Sequence, residues 1–302
     1  MTDPADANLL DHLAGELGCA SDLLRWQFLG STHGPCRVWQ VTGHEGSAAV
    51  VVKQFRNDRA FAQERDAYAR WLSHLPEETA GLIAVLPAPV RALLLRRLPG
   101  EALVTGRVRE SVEQTAHLRA GAFLRALHAL PAVDDDPLPL RAAVQRRYAA
   151  WLARVSARLT AVESNQLRGL GEALDAAPGL FARARRVPCH RDFTPGNWLV
   201  DGPVVDGQIS RIDGFFVVDF EHAKLDCPLL DLVKLWTEVW GERPDLEAAF
   251  FAGYGRTLGP EEHLELQLLA AMHAMATVAW AHDHADPAFA TLGARALRRV
   301  LG

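Results

Sequence analysis

The sequence predicts an α+β protein of two lobes, a small N-terminal antiparallel sheet with one packed helix and a larger, mainly helical C-terminal lobe. Three observations predict it. Short apolar and β-branched stretches divided by Gly and Pro turns run from 24 to 95, with a single helical pattern among them. Helical periodicity then dominates to about 186 and returns from 228 to 301. A strand-rich insert at 187–220 interrupts it. The break at Pro99-Gly100 divides the chain into lobes of residues 1–96 and 97–302, and two such lobes are expected to make a cleft.

The elements follow in order. Residues 8–17 form a short helix. Strands 24–29 and 38–42 flank the turn-forming segment 30–35, and a third strand, 48–55, follows the turn at 43–46. A helix spans 59–75, with apolar or aromatic residues at 61, 68, 71, 72 and 75, before strands 82–86 and 92–95. Helix 111–130 carries Leu118, Ala122, Leu127 and Leu130 on its apolar face, and Pro131 stops it. A loop at 134–139 leads to helices 141–159 and 165–177.

Composition narrows the function classes. At 49% hydrophobic and 23% charged, the chain is a globular protein rather than a disordered one. A net charge of -5 points away from nucleic acid as a partner. No run of 18 apolar residues marks a membrane span, and MTDPADANLL lacks the basic-then-apolar order of a signal peptide. Cys19, Cys36, Cys189 and Cys227 are widely spaced with no CxxC pair, which fits reduced thiols in a cytoplasm. Residues 201–302 hold 16 acidic against 8 basic groups, which suits either a cationic ligand or a solvated acidic face. Of 32 basic residues only three are lysines: Lys53, Lys224 and Lys234.

The densest polar cluster is His190-Arg191-Asp192-Phe193-Thr194-Pro195-Gly196-Asn197. Pro195-Gly196 forbids a helix, and a loop lets Asp192 and Asn197 turn towards one point. The apolar run 214–218 then presents Asp219 at its end, where it reaches the same point. Two carboxylates and an amide suit phosphoryl transfer: Asn197 and Asp219 are hard oxygen ligands for Mg²⁺, and Asp192 takes or orients an acceptor hydroxyl's proton. In the first lobe, Lys53 lies inside the β-branched strand Val50-Val51-Val52-Lys53, and Glu64 on the next helix is placed to meet it. Where arginine fills nearly every basic position, a compact ammonium in that strand points to phosphates. Lys224 and Lys234 show no such setting.

With these residues in order, the chain resembles the aminoglycoside phosphotransferase/choline kinase family, small-molecule kinases with a protein-kinase-like fold. The resemblance rests on the Gly30–Gly34 hairpin, Lys53, Glu64, the hinge-like stretch 93–100, the helix 121–128, the loop His190–Asn197, Asp219, and Asp231-Leu232. It implies a nucleotide-binding lobe at 1–96 and a catalytic, acceptor-binding lobe at 97–302. It also implies ATP, or another nucleoside triphosphate, with Mg²⁺ as cofactor. Asp192 would be the catalytic base, Asn197 and Asp219 the metal ligands, and Lys53 with Glu64 the hold on the phosphates. Gly30, Ser31 and Gly34 would cover those phosphates. Backbone groups near Arg96 and Leu98 would hold the adenine, while His190 and Asp231 brace the catalytic loop. Glu221 replaces the glycine that protein kinases carry after Asp-Phe, and only twelve residues separate Asp219 from Asp231. Both features argue against an activation segment and a protein acceptor. A small-molecule hydroxyl is the expected partner: an aminoglycoside, choline, thiamine, homoserine, a sugar or another natural product. Resistance and metabolic roles both stand open, as do monomer and homodimer.

Other patterns carry less. His282-Asp283-His284 with Asp286 has a metal-like spacing, but it sits near a helix end where such residues cap. Gly169-Leu170-Gly171 fails as a dinucleotide loop, and no phosphate-loop motif occurs. Trp236 and Trp240 at helical spacing read as core, and Cys189 and Cys227 as inert buried thiols. The rival from another class is a kinase-like module that holds a nucleotide or a partner without catalysis.

Overall fold

A computed structural model describes residues 7–30, 36–43, 49–104 and 108–302. The chain divides into two compact units, 1–109 with 195–223, and 110–194 with 224–302.

The first unit is built on a five-stranded antiparallel sheet. Its strands are β1 (Arg25–Phe28), β2 (Cys36–Thr42), β3 (Val50–Phe55), β4 (Leu82–Leu86) and β5 (Ala92–Arg96), in the order β1-β2-β3-β5-β4. Alternation of side chains puts Trp39, Val50, Val52, Ala92 and Leu94 into one core, which α1 (Ala7–Leu17) closes with Leu9, Leu13 and Leu17. The second helix, α2 (Asp58–Arg70), starts where Asn57 accepts the Ala60 amide at 2.8 Å. It ends five residues earlier than the periodicity predicts. Trp71 leaves helical geometry at φ −126°, and a 3-10 turn, Leu72–His74, continues the buried face.

A second small sheet belongs to the same unit. It joins β6 (Glu101–Ala102) to β8 (Trp198–Asp201) and β11 (Gly214–Val217), while β9 (Val204–Val205) and β10 (Gln208–Ile209) form a hairpin. Gly100 (φ 86°) permits this join, because a Cβ there would lie 2.4 Å from the Val200 carbonyl oxygen. Thr79 bridges Val217, so the insert is tied back to the turn after α2.

The second unit is helical. It comprises α3 (Glu110–Ala129), α4 (Leu140–Val155), α5 (Ala161–Ala176), α6 (Val233–Glu238), α7 (Pro244–Tyr254), α8 (Pro260–His284) and α9 (Pro287–Leu301). A two-stranded ladder, β7 (Val187–Cys189) with β12 (Lys224–Asp226), lies among them. The fifth helix begins four residues before the predicted start, because Thr160 and Glu163 form a capping box. The fourth gives way at Ser156 to a 3-10 turn. By length and composition α8 is long and apolar enough to cross a membrane, yet 67% of its most apolar window is buried inside the protein, as in a core helix. The four cysteines are free thiols, and Cys189 and Cys227 are buried.

Candidate active site

In the first unit the chemistry gathers around Lys53. Strand β3 places it opposite Val38 on one neighbour and Leu93 on the other, with only 6% of its side chain accessible. Its ammonium donates to Glu64 Oε2 at 2.5 Å and to Asp219 Oδ1, and lies 3.6 Å from Glu221 Oε2. Glu64 comes from α2 and is 1% exposed, so the strand–helix pair read in the sequence forms as expected. Asp219 follows β11 at φ 72°, a left-handed geometry that a short polar residue tolerates and that marks a constrained turn. Asn197 is fastened beside it, since its carbonyl accepts the Val218 amide at 3.0 Å.

One ammonium thus faces three carboxylates. Burial works against the Lys53 charge, but Glu64 and Asp219 outweigh it and hold its pKa well above the ordinary lysine range. Burial also pushes Glu64 up to about 7, with the Lys53 charge opposing. Glu221 is the residue that sequence reasoning missed here. It is 5% exposed, and its Oε2 is buried with no hydrogen-bond partner among the described residues. An acid two positions beyond Asp219, at the end of an apolar strand, was the available signal. Carboxylate oxygens of Glu64, Asp219 and Glu221 lie within 4.8 Å of one another, a hard-oxygen set that fits Mg²⁺.

In the second unit the loop after β7 is held by one acid. Asp231 accepts the His190 amide at 3.0 Å and the Arg191 amide at 2.5 Å, and His128 Nε2 lies 3.0 Å from the same carboxylate. His128 reaches Tyr254 through its other nitrogen at 3.0 Å. Arg191 sits at φ 66°, a conformation these contacts stabilise. Phe193 packs flat on Phe123, with centroids 6.1 Å apart. His190 is fully buried, and its Nδ1 receives the Asp192 amide at 3.2 Å. Asp231 and Cys189 with His128 also make a ligand-like trio. The Cys189 thiol instead donates to the carbonyls of Asp226 and Cys227, and burial raises its pKa, so the trio is a brace.

The Asp192 carboxylate is ion-paired with Lys234 at the start of α6. This corrects the expectation that Lys234 has no chemical setting. Its partner is 42 positions away in sequence, and only the fold brings the two together.

The remaining predicted residues are placed as follows. Arg96 ends β5, its amide bonded to the Gly81 carbonyl at 2.8 Å, and its side chain is exposed. The Leu98 carbonyl accepts from Arg97 Nη1 at 2.9 Å. Gly30 follows β1, next to the Leu29–Val38 backbone bond, while Ser31 and Gly34 lie outside the described residues. Asp283 is engaged by Arg154 and Arg158, and Asp286 caps α9. Trp240 is buried against Phe250 and Phe251, and the Arg299 guanidinium lies over Trp236.

An antiparallel sheet with a buried lysine–glutamate pair, followed by a braced H-x-D-x-x-x-x-N loop and an aspartate-ended strand, defines the class of small-molecule phosphotransferases. The chain belongs to the phosphotransferase enzyme family APH, whose model matches residues 27–276. Among solved structures it is similar to APH(2")-IIia in complex with GDP and kanamycin, at 13% identity, 98% coverage of each chain and a TM-score of 0.70. It is similar to macrolide 2'-phosphotransferase MphH from Brachybacterium faecium, at 20% identity, covering 96% of this chain and 97% of that one, with a TM-score of 0.61. The Plasmodium vivax ethanolamine kinase Pv091845 matches at 16% identity over 93% and 83% of the two chains, with a TM-score of 0.61. These likenesses show a shared α+β kinase-like fold. The search of curated proteins found no match.

Proposed function

We propose that this phosphotransferase moves the γ-phosphate of ATP, with Mg²⁺, to a hydroxyl of a small molecule, either a natural product of the aminoglycoside type or a small metabolite alcohol. The observation that carries the proposal is the buried Lys53 held among Glu64, Asp219 and Glu221. A buried ammonium balanced by surplus carboxylate is what a metal-bound polyphosphate needs: a cation for the phosphates and oxygen ligands for the ion. Similar folds solved with GDP or with ATP support the nucleotide part of the reading.

In this reading Glu64 keeps the Lys53 ammonium aimed at the α- and β-phosphates. Asn197 and Asp219, with Glu221 as a further donor, would hold Mg²⁺, which supplies charge neutralisation when bound. Asp192 accepts the proton of the acceptor hydroxyl as that oxygen bonds to the γ-phosphorus and ADP leaves. Asp231 and His190 keep the loop rigid. Positioning and charge neutralisation supply most of the rate.

Calorimetric titration with Mg-ATP, paired with ADP release over an acceptor panel, tests the proposal. Asp192→Asn is expected to bind Mg-ATP as the parent does and to lose about 10²–10⁴-fold in transfer. Normal transfer by that variant would remove Asp192 from the base role. Tight ATP binding without transfer to any acceptor would favour a nucleotide-holding module instead.

A further inference from the structure

We propose that Lys234 positions the catalytic-loop carboxylate and selects the charge of the acceptor, favouring neutral or anionic hydroxyl compounds over cationic ones. The inference rests on the reading of Asp192 as the acceptor-side base.

One short segment grips three consecutive residues of the loop. The 3-10 turn Pro228–Leu232 presents Asp231 to the amides of His190 and Arg191, and three positions later Lys234 takes Asp192 Oδ1. The two grips differ in kind. Asp231 is 1% exposed and fixes backbone, as a brace does. Lys234 and Asp192 keep 32% and 22% of their side chains accessible, and their contact is between charged groups alone. A pair made only for stability gains little at that exposure. A pair that must meet a ligand needs the exposure.

The charges around the loop sharpen the point. Arg191 lies 3.7 Å from Asp226, which Arg147 engages in a two-pronged pair at 2.7 and 3.0 Å. Asp231 is occupied by two amides and His128. Among the described contacts Lys234 is a cation set directly on Asp192, where it fixes the carboxylate in one orientation. An acceptor ammonium drawn to Asp192 meets a like charge at the same oxygen, a penalty that a neutral or anionic acceptor avoids.

The test compares the parent with Lys234→Met, Lys234→Arg and Asp192→Asn. ADP release is measured against kanamycin and ethanolamine as cations, glucose as a neutral polyol and glycerate as an anion. Lys234→Met is expected to lower kcat roughly 10–100-fold with the KM for ATP unchanged, within the range of acid–base contributions. Lys234→Arg should recover most of that loss. The cation-to-anion ratio of kcat/KM should rise about tenfold in Lys234→Met, a change of ~1.4 kcal/mol in selectivity. Parent-like kcat and ratio in Lys234→Met, with Asp192→Asn inactive, would overturn the role of Lys234 and leave the kinase reading standing. Parent-like turnover in Asp192→Asn would instead remove the base on which both depend. A loss shared by ATP affinity and not recovered by arginine would make Lys234 a structural residue and overturn the proposal.

Discussion

At the scale of single residues, the Lys53 cluster has a charge imbalance with a measurable consequence. Three carboxylates surround one buried ammonium, and burial lifts Glu64 to about 7. A folded-state pKa above the unfolded one means the folded protein binds more protons between the two values, so stability falls as pH rises through that window. Removing the titration should remove the fall. Denaturant unfolding at about pH 5, 6 and 7 should show the parent losing stability relative to Glu64→Gln as pH rises. A difference that stays constant or grows in the parent's favour would mean that Glu64 is ionised throughout. The Lys53–Glu64 pair was legible in the sequence because a strand and the next helix fix it locally. Glu221 and Lys234 were not, since burial beside Lys53 and contact with Asp192 arise only from long-range pairing.

At the scale of elements, α3 and α7 are packed backbone to backbone through two glycines. A Cβ on Gly121 would fall 2.0 Å from the Phe250 carbonyl oxygen, and one on Gly253 would fall 1.8 Å from that of Leu118. The same pair of helices carries His128 and Tyr254, which meet at 3.0 Å behind Asp231. Gly121→Ala should therefore destabilise the protein by about 2 kcal/mol or more, because backbone cannot yield as a side chain does. The control is Gly169→Ala on α5, where no described residue would come within 4 Å of the added Cβ and the better helix propensity of alanine should add up to ~1 kcal/mol. Thermal unfolding of both variants decides the matter, and a stabilised Gly121→Ala would refute the close packing. Element types were legible in the sequence from periodicity and Pro/Gly punctuation. Ends were less so. The Thr160–Glu163 box was readable and marks the true start of α5, but the exit from helix at Trp71 comes five positions before Pro76, the first Pro or Gly after it, so no local breaker announces it.

At the scale of the whole molecule, the first unit is discontinuous in sequence, and that has a cost for any fragment of it. Residues 195–223 complete the unit begun by 1–109. They supply β8 as partner to β6, and Val217, whose amide bonds to the Glu78 carbonyl at 2.8 Å. They also bring Phe220 against Tyr68, with centroids 6.4 Å apart, and two of the three acids around Lys53. The sequence marks 187–220 as strands, but which elements those strands join depends on contacts nearly a hundred or more positions apart, beyond the reach of local periodicity. A fragment of residues 1–109 alone would leave β6 unpaired, Tyr68 uncovered and Lys53 facing Glu64 alone among those acids. It should lack a cooperative thermal transition by circular dichroism. Rejoining 1–109 to 195–223 through a flexible linker of roughly ten Gly and Ser residues should restore one, because Leu103, near the end of the first segment, already bonds Trp198, near the start of the second, its amide 2.8 Å from that carbonyl. The linked form should also gain thermal stability on adding Mg-ATP, by the linkage that rewards any ligand of the folded state, while Lys53→Met in the same background should not. If residues 1–109 alone melted as cooperatively as the linked form, the insert would be an appendage of the unit rather than part of its core.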